Sequence, residues 1–231
     1  VYVEQAFLQY KLNNFFNFRG GLLLVPMGII NEYHEPTTFN GVERPLIEKY
    51  IVPTTWREIG FGITGNILPA FIKYQAYVVN GFNGYDGAAK LGGNNGLRKG
   101  RQKGAESFGT FPNFTGKIEY YGIRGLSIGL SGYFGKTQSA LYDGIDKNNE
   151  MAVSTADSSV VGVSMVGLNA RYNISGLQFR GQVYYSGISN TLQYNDFTAE
   201  NDETPNDLGS SMIGYYAELG YNVSRVVNTE M

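Results

Sequence analysis

Residues able to carry acid–base, metal or nucleophilic chemistry are sparse in this chain. Its one histidine, His34, stands between Glu32 and Glu35. A metal site would need three or four convergent ligands of defined geometry, and the neighbouring sequence does not supply them, so His34 reads as a structural residue in the turn before Pro36. Asp143 and Asp146, and further on Glu200, Asp202, Glu203 and Asp207, could offer carboxylate oxygens to calcium, yet the spacing of an EF-hand loop is missing. They read as solvated loop charge. There is no Gly-x-Ser-x-Gly elbow and no phosphate-cradling glycine loop with its lysine; the glycine run at 92–96 is not fed by a strand or followed by a helix. With zero cysteines, thiol catalysis, disulfides and cysteine-based metal sites are excluded together. No catalytic residue, metal or cofactor is expected.

The charges that do fall into a pattern belong to alternating stretches. Lys11, Arg19, Lys73, Lys117, Arg171 and Arg180, with Glu58, Glu119 and Glu218 as acidic counterparts, occupy the polar phase of segments whose other phase is apolar. In 126–134, Leu126, Ile128, Leu130, Gly132 and Phe134 oppose Ser127, Gly129, Ser131 and Tyr133. In 177–185, Leu177, Phe179, Gly181, Val183 and Tyr185 oppose Gln178, Arg180, Gln182 and Tyr184. Charges along a narrow water path bias which ions enter, because the field is focused there. Six cations against three anions predict a mild preference for anions. The alternative is that these charges pair across strands and simply hydrate a wall.

The elements that must position them are nine such stretches, at 2–12, 16–29, 57–67, 71–81, 113–121, 126–136, 160–172, 177–186 and 212–223. Short connectors at 13–15, 68–70, 122–125 and 173–176 alternate with long ones. That rhythm predicts an all-β fold, a transmembrane antiparallel β-barrel with tight turns on one side of the membrane and long loops on the other. Composition agrees: 18 Tyr, 14 Phe and one Trp suit aromatic girdles, and 31 Gly suit crowded strands and turns. The longest apolar run, 20–30, contains Pro26 and falls short of the roughly 18 residues of a spanning helix. A net charge of −2 and a pI near 5.5 argue against a nucleic-acid partner. No export signal precedes the first stretch, and bacterial single-chain barrels have even strand numbers, so 1–231 is expected to be the central part of one longer barrel domain.

Between 22 and 65 the chain reads LLLVPMGIINEYHEPTTFNGVERPLIEKYIVPTTWREIGFGITG. VPMGIINE, HEPTTFNGVER and IVPTTWREIG, flanked by EQAFLQYKL, YVVNGFNG and YYAELGYNVSR, resemble the phosphate-selective porin O and P family, especially its Bacteroidetes branch. The resemblance implies an outer-membrane channel of about sixteen strands, usually a homotrimer, passing small solutes by diffusion.

The loop at 31–55 holds three prolines and the charges Glu32, Glu35, Glu43, Arg44, Glu48 and Lys49. Its apolar Phe39, Leu46, Ile47, Ile51 and Val52 predict an ordered loop packed on something. Folded into the lumen, it would constrict the pore with Glu35, Glu43, Arg44, Glu48 and Lys49; packing at the barrel rim or in a trimer contact would suit it equally. The expected function is passive diffusion of small hydrophilic or anionic solutes across the outer-membrane lipid. Two alternatives carry different observables: a plugged scaffold barrel of a larger assembly, which would not conduct, and a secreted glycan-binding β-sandwich, which would not need detergent.

Overall fold

Strict alternation between turn-forming residues produces one antiparallel sheet of nine strands. In this computed structural model, which describes residues 3–32, 41, 43–104, 107–202 and 205–223, they are β1 (Ala6–Lys11), β2 (Asn17–Leu24), β3 (Arg57–Ile67), β4 (Ile72–Val79), β6 (Asn113–Tyr120), β7 (Leu126–Lys136), β9 (Gly162–Ile174), β10 (Leu177–Ser189) and β11 (Ser211–Tyr221). Each pairs with its neighbour along the chain, and β1 and β11 are the two edges, unpaired with each other. Two short strands, β5 (Asn83–Tyr85) and β8 (Gln138–Ser139), form a separate parallel pair inside the connectors. Among the described residues, four α-helices, α1 (Ile29–Glu32), α2 (Ile47–Tyr50), α3 (Glu150–Ser158) and α4 (Thr191–Asp202), also lie there.

Tight turns gather at one end of the sheet and long connectors at the other. Ser175 and Gly176, with φ of 49° and 85°, make the two-residue link from β9 to β10. Two consecutive positive φ values match the right-handed twist of the flanking strands, and glycine takes the second at no steric cost. β2 ends at Leu24 rather than continuing to 29, because Pro26 has no N–H for the ladder. Val25 makes the last bond of the pair, donating to the Trp56 carbonyl at 3.0 Å.

The two faces of the sheet are exposed in the reverse of the soluble order. On the open face, the register aligns Phe61, Val78, Phe114 and Phe134 in one row and Ile118, Leu130, Leu168, Val183 and Tyr215 in another. Leu130 is 54% exposed, Leu168 49% and Tyr215 80%. Ile59, Ile63, Ile72, Tyr74, Ala76 and Ile128 share this face. The opposite face carries polar residues that are buried over its middle, with Lys117, Ser131, Asn169 and Gln182 all at 5% or less. The long connectors cover it. Their apolar residues, among them Val25, Met27, Ile51, Val52 and Phe82, join Tyr77, Tyr133, Met165 and Tyr184 of the sheet in a core near the connector end.

Candidate functional site

The connector at 25–56 is built into the covered face. Asn31, fully buried, ties its two ends together: its amide donates to the carbonyls of Val25 (2.8 Å) and Trp56 (3.2 Å), while its oxygen accepts from Trp56 N–H (2.7 Å). Three successive amides then face the wall. Gly28 N–H donates to the Tyr184 hydroxyl (2.8 Å), Ile29 N–H to Gln182 Oε1 (2.9 Å) and Ile30 N–H to Glu48 Oε1 (3.3 Å). Gly28 has φ of 80°, and a Cβ there would lie 2.9 Å from Glu48 Oε2, so only glycine lets the backbone approach. Tyr184 is fixed in turn by Ser131 Oγ at 2.9 Å, and its ring covers Gly167, where a Cβ would overlap it. Gly214 of β11 leaves room for Ile47 and Ile51 of the α2 region. Trp56 stacks on Phe82 with ring centres 4.2 Å apart and reaches Tyr133 at 4.9 Å, closing the base of the connector.

Glu48 sits at the centre of this dock. Its Oε1 accepts from the Gln182 amide as well as from Ile30, and Oε2 has no partner among the described residues. Burial raises its carboxyl from 4.5 to about 7, against the lowering pull of Gln182, Ile30 and Arg44.

The register puts Lys11, Arg19, Glu58, Lys73, Lys117, Glu119, Arg171, Arg180 and Glu218 on the covered face. It also sorts them by environment. Lys117 pairs with Glu32 of the connector and lies 3.7 Å from Glu119, which holds Arg171 at 3.1 Å; Gln75 adds a bond to Glu32 at 3.2 Å. Arg180 and Glu218 pair at 3.6 Å on adjacent strands. Glu58, expected beside a water path, is fully buried under Trp56, whose Nε1–H donates to it at 2.9 Å. Glu48, expected among the charges of the constriction loop, is likewise buried by the folding of α2 onto the wall.

Toward the tight turns the face stays open. Lys11, Arg19 and Lys73 line a groove there with Asn17, Asn66 and Gln75. Arg19 bonds Gln9 and the Tyr77 hydroxyl, and Lys73 lies over the Tyr121 ring. None of the three makes an ion pair among the described residues. Of the other loop charges, Glu43, Arg44 and Lys49 are exposed, while Glu35, like His34, lies outside the described residues.

Sequence reasoning missed Asn31, Ser131, Gln182 and Tyr184 as the docking residues. A polar residue in a strand's buried phase, opposite a connector carrying Gly28, was the available signal. Asn169, with both side-chain polar atoms unpartnered among the described residues at 1% exposure, and the Tyr216 hydroxyl add polar groups to the same face that those residues do not satisfy. Such groups are ordinarily satisfied by water.

A protein of Aquifex aeolicus (strain VF5), described as "Uncharacterized protein", is 34% identical over 232 residues, which is 99% of this chain. The chain spans about half (49%) the length of that curated relative. No family model matches the chain. No solved structure matches it either.

Proposed function

We propose that this chain is part of an outer-membrane β-barrel porin, with the open face toward lipid, the covered face toward an aqueous lumen and the 25–56 connector as its constriction. The observation that carries the reading is the reversed exposure: apolar rows outward, and Lys117, Glu48, Glu58, Glu119 and the amides of Asn169 and Gln182 buried within. A soluble sandwich would bury the first and expose the second. The strands β3, β7, β9, β10 and β11, of 11 to 13 residues, are long enough to cross a bilayer at a tilt, which takes about 9–11. Aromatics flank the aliphatic rows, with Tyr10, Tyr74, Tyr120, Tyr172 and Tyr221 toward the tight turns and Phe61, Phe114, Phe134 and Tyr185 toward the connectors, as interfacial girdles require.

Closure would come from polypeptide beside β1 and β11, because a lipid-exposed sheet edge leaves N–H and C=O groups unsatisfied. A relative about twice as long has room for such strands. The resemblance at 22–65 further supports a diffusion channel and implies a homotrimer. A plugged scaffold barrel is the second reading, favoured by the dense packing of Trp56, Phe82 and Tyr133 beneath the connectors.

Conductance in planar bilayers separates the two: a porin gives large, stable steps and a plugged scaffold none. Selectivity then tests the wall. Lys117, Arg171 and Arg180 are neutralised by Glu32, Glu119 and Glu218, which leaves Lys11, Arg19 and Lys73 as the cations that bias the path. Replacing these three by glutamine should move the reversal potential in a salt gradient from weakly anion-selective to near neutral. The bias should also fade toward high salt, as the Debye length falls from about 10 Å at 0.1 M to about 3 Å at 1 M. A triple variant as anion-selective as the parent would refute this assignment.

A further inference from the structure

A second group of cations lies outside the proposed lumen, at the connector end of β3. Arg44 and Arg101 converge on Thr54: Arg44 Nη1 donates to its hydroxyl at 2.8 Å, and Arg101 Nη1 donates to its carbonyl and to Thr55 Oγ1 (2.9 Å). Arg101 Nε also donates to the Arg98 carbonyl at 2.9 Å, and the Arg98 charge lies near enough to act on Arg101. Arg57, two residues beyond Thr55, is only 6% exposed, and its buried Nε has no partner among the described residues. Among the described residues none of Arg44, Arg57, Arg98, Arg101 and Lys103 makes an ion pair. Glu58, the neighbouring carboxylate, faces the other side of the sheet and is bonded by Trp56.

A buried guanidinium nitrogen without a hydrogen bond among the described residues is costly, and further cations near it add repulsion. Burial and the neighbouring Arg98 and Arg57 lower Arg101 to about 10, and Lys103 is lowered by burial, Arg101, Arg57 and Arg98. The segment that carries Lys103 folds over the rim onto the open face: a Cβ on Gly104 would lie 2.4 Å from Leu22 Cδ1, and Leu22 stands in the apolar row with Ile59. Gln102 fastens the fold, donating to Gly81 O (2.8 Å) and accepting from Phe108 N–H (2.7 Å). Planar guanidinium forks recognise multiply charged oxyanions by paired hydrogen bonds.

We propose that Arg57, Arg98, Arg101 and Lys103 form a site for a phosphate-class oxyanion, supplied by the headgroup of an anionic lipid at the outer rim of the sheet. The choice of a lipid as its source rests on the membrane reading above; the oxyanion chemistry does not.

The test is retention of lipid by the full-length protein in native mass spectrometry, with phosphatidic acid compared against zwitterionic phosphatidylcholine. The parent should retain phosphatidic acid at about tenfold lower lipid concentration. Arg57→Gln with Arg101→Gln should abolish that preference. Should that pair fail to fold, Arg98→Gln with Lys103→Gln alters less buried positions and should still reduce it several-fold, whereas Lys147→Gln should not. Equal retention of the two lipids, or a preference indifferent to both pairs, overturns the site. Inorganic phosphate that binds through the same arginines and displaces the lipid overturns the lipid as occupant. Conductance is recorded on the same samples: a conducting protein without lipid preference refutes this site alone, while one that neither inserts nor holds any lipid refutes the membrane reading beneath it.

Discussion

Arginine in place of Leu168 is expected to destabilise the protein in a bilayer by about 2–4 kcal/mol, the cost of a cation on the lipid face near the midplane of a barrel. Leu168 sits midway along β9, flanked by Leu130 and Val183, at 49% exposure and with no polar group beside it in the register. The size of the effect discriminates between environments. On a water-exposed face the same change would fall within about 0.5 kcal/mol of zero, as surface substitutions usually do. Denaturant titration in phospholipid vesicles gives the number directly. A loss of several kcal/mol supports a lipid-facing Leu168; an indifferent or more soluble variant would mean that the open face meets water.

Raising the pH from about 4.5 to about 7 is expected to loosen the 25–56 connector from the wall. Glu48 titrates near 7 when docked, against 4.5 ordinarily, because burial penalises its charged form more than Gln182 and Ile30 stabilise it. A carboxyl raised in the docked state favours docking when protonated. Docking is therefore strongest below about pH 4.5, weakens by up to about 1.4 kcal/mol per unit between the two values, and levels off above about 7 at a loss on the order of 3 kcal/mol. Single-channel conductance should rise over that window, together with protease cleavage within the connector. Glu48→Gln, which copies the neutral acid, should hold the connector docked at every pH. A flat profile in the parent, or an unchanged profile in Glu48→Gln, would remove Glu48 as the titrating latch.

The strands were legible because alternation and turn residues agree locally. The expected bounds 57–67 and 126–136 coincide with β3 and β7, where apolar and polar phases run unbroken to Leu68–Pro69 and Thr137. The expected stretch 16–29 runs past the end of β2 at Leu24, because the apolar run continues beyond Pro26, whose missing N–H stops the ladder. The helices were missed for the opposite reason. α4 has no continuous apolar stripe; its packing rests on Tyr194, Phe197 and Thr198, a spacing of three and four that a window dominated by Asn, Asp and Glu obscures. Asn149, whose side chain accepts from Ala152 N–H at 3.1 Å, was a usable start signal for α3.

Which phase of each strand faces which side was also readable, since the nine charged positions share one face. Their partners were not. Glu32 and Lys117 are 85 residues apart and Glu48 and Gln182 are 134 apart, and no local pattern announces such a pairing. A charged residue in a proline-rich connector is ordinarily solvated, so the burial of Glu48 emerges only once α2 is seen against β11.

The membrane reading turns on what surrounds the open face, and a chain with no native cysteine allows it to be probed one position at a time. Spin labels on single cysteines at residues 126–134 of β7, in the protein reconstituted in phospholipid, report collision with oxygen dissolved in lipid or with a water-soluble nickel chelate. Labels at 126, 128, 130, 132 and 134 should collide mainly with oxygen, deepest at 130, while those at 127, 129, 131 and 133 should be shielded from it. Chelate contact at 128, 130 and 132 equal to that of an exposed connector position would contradict a lipid-facing wall.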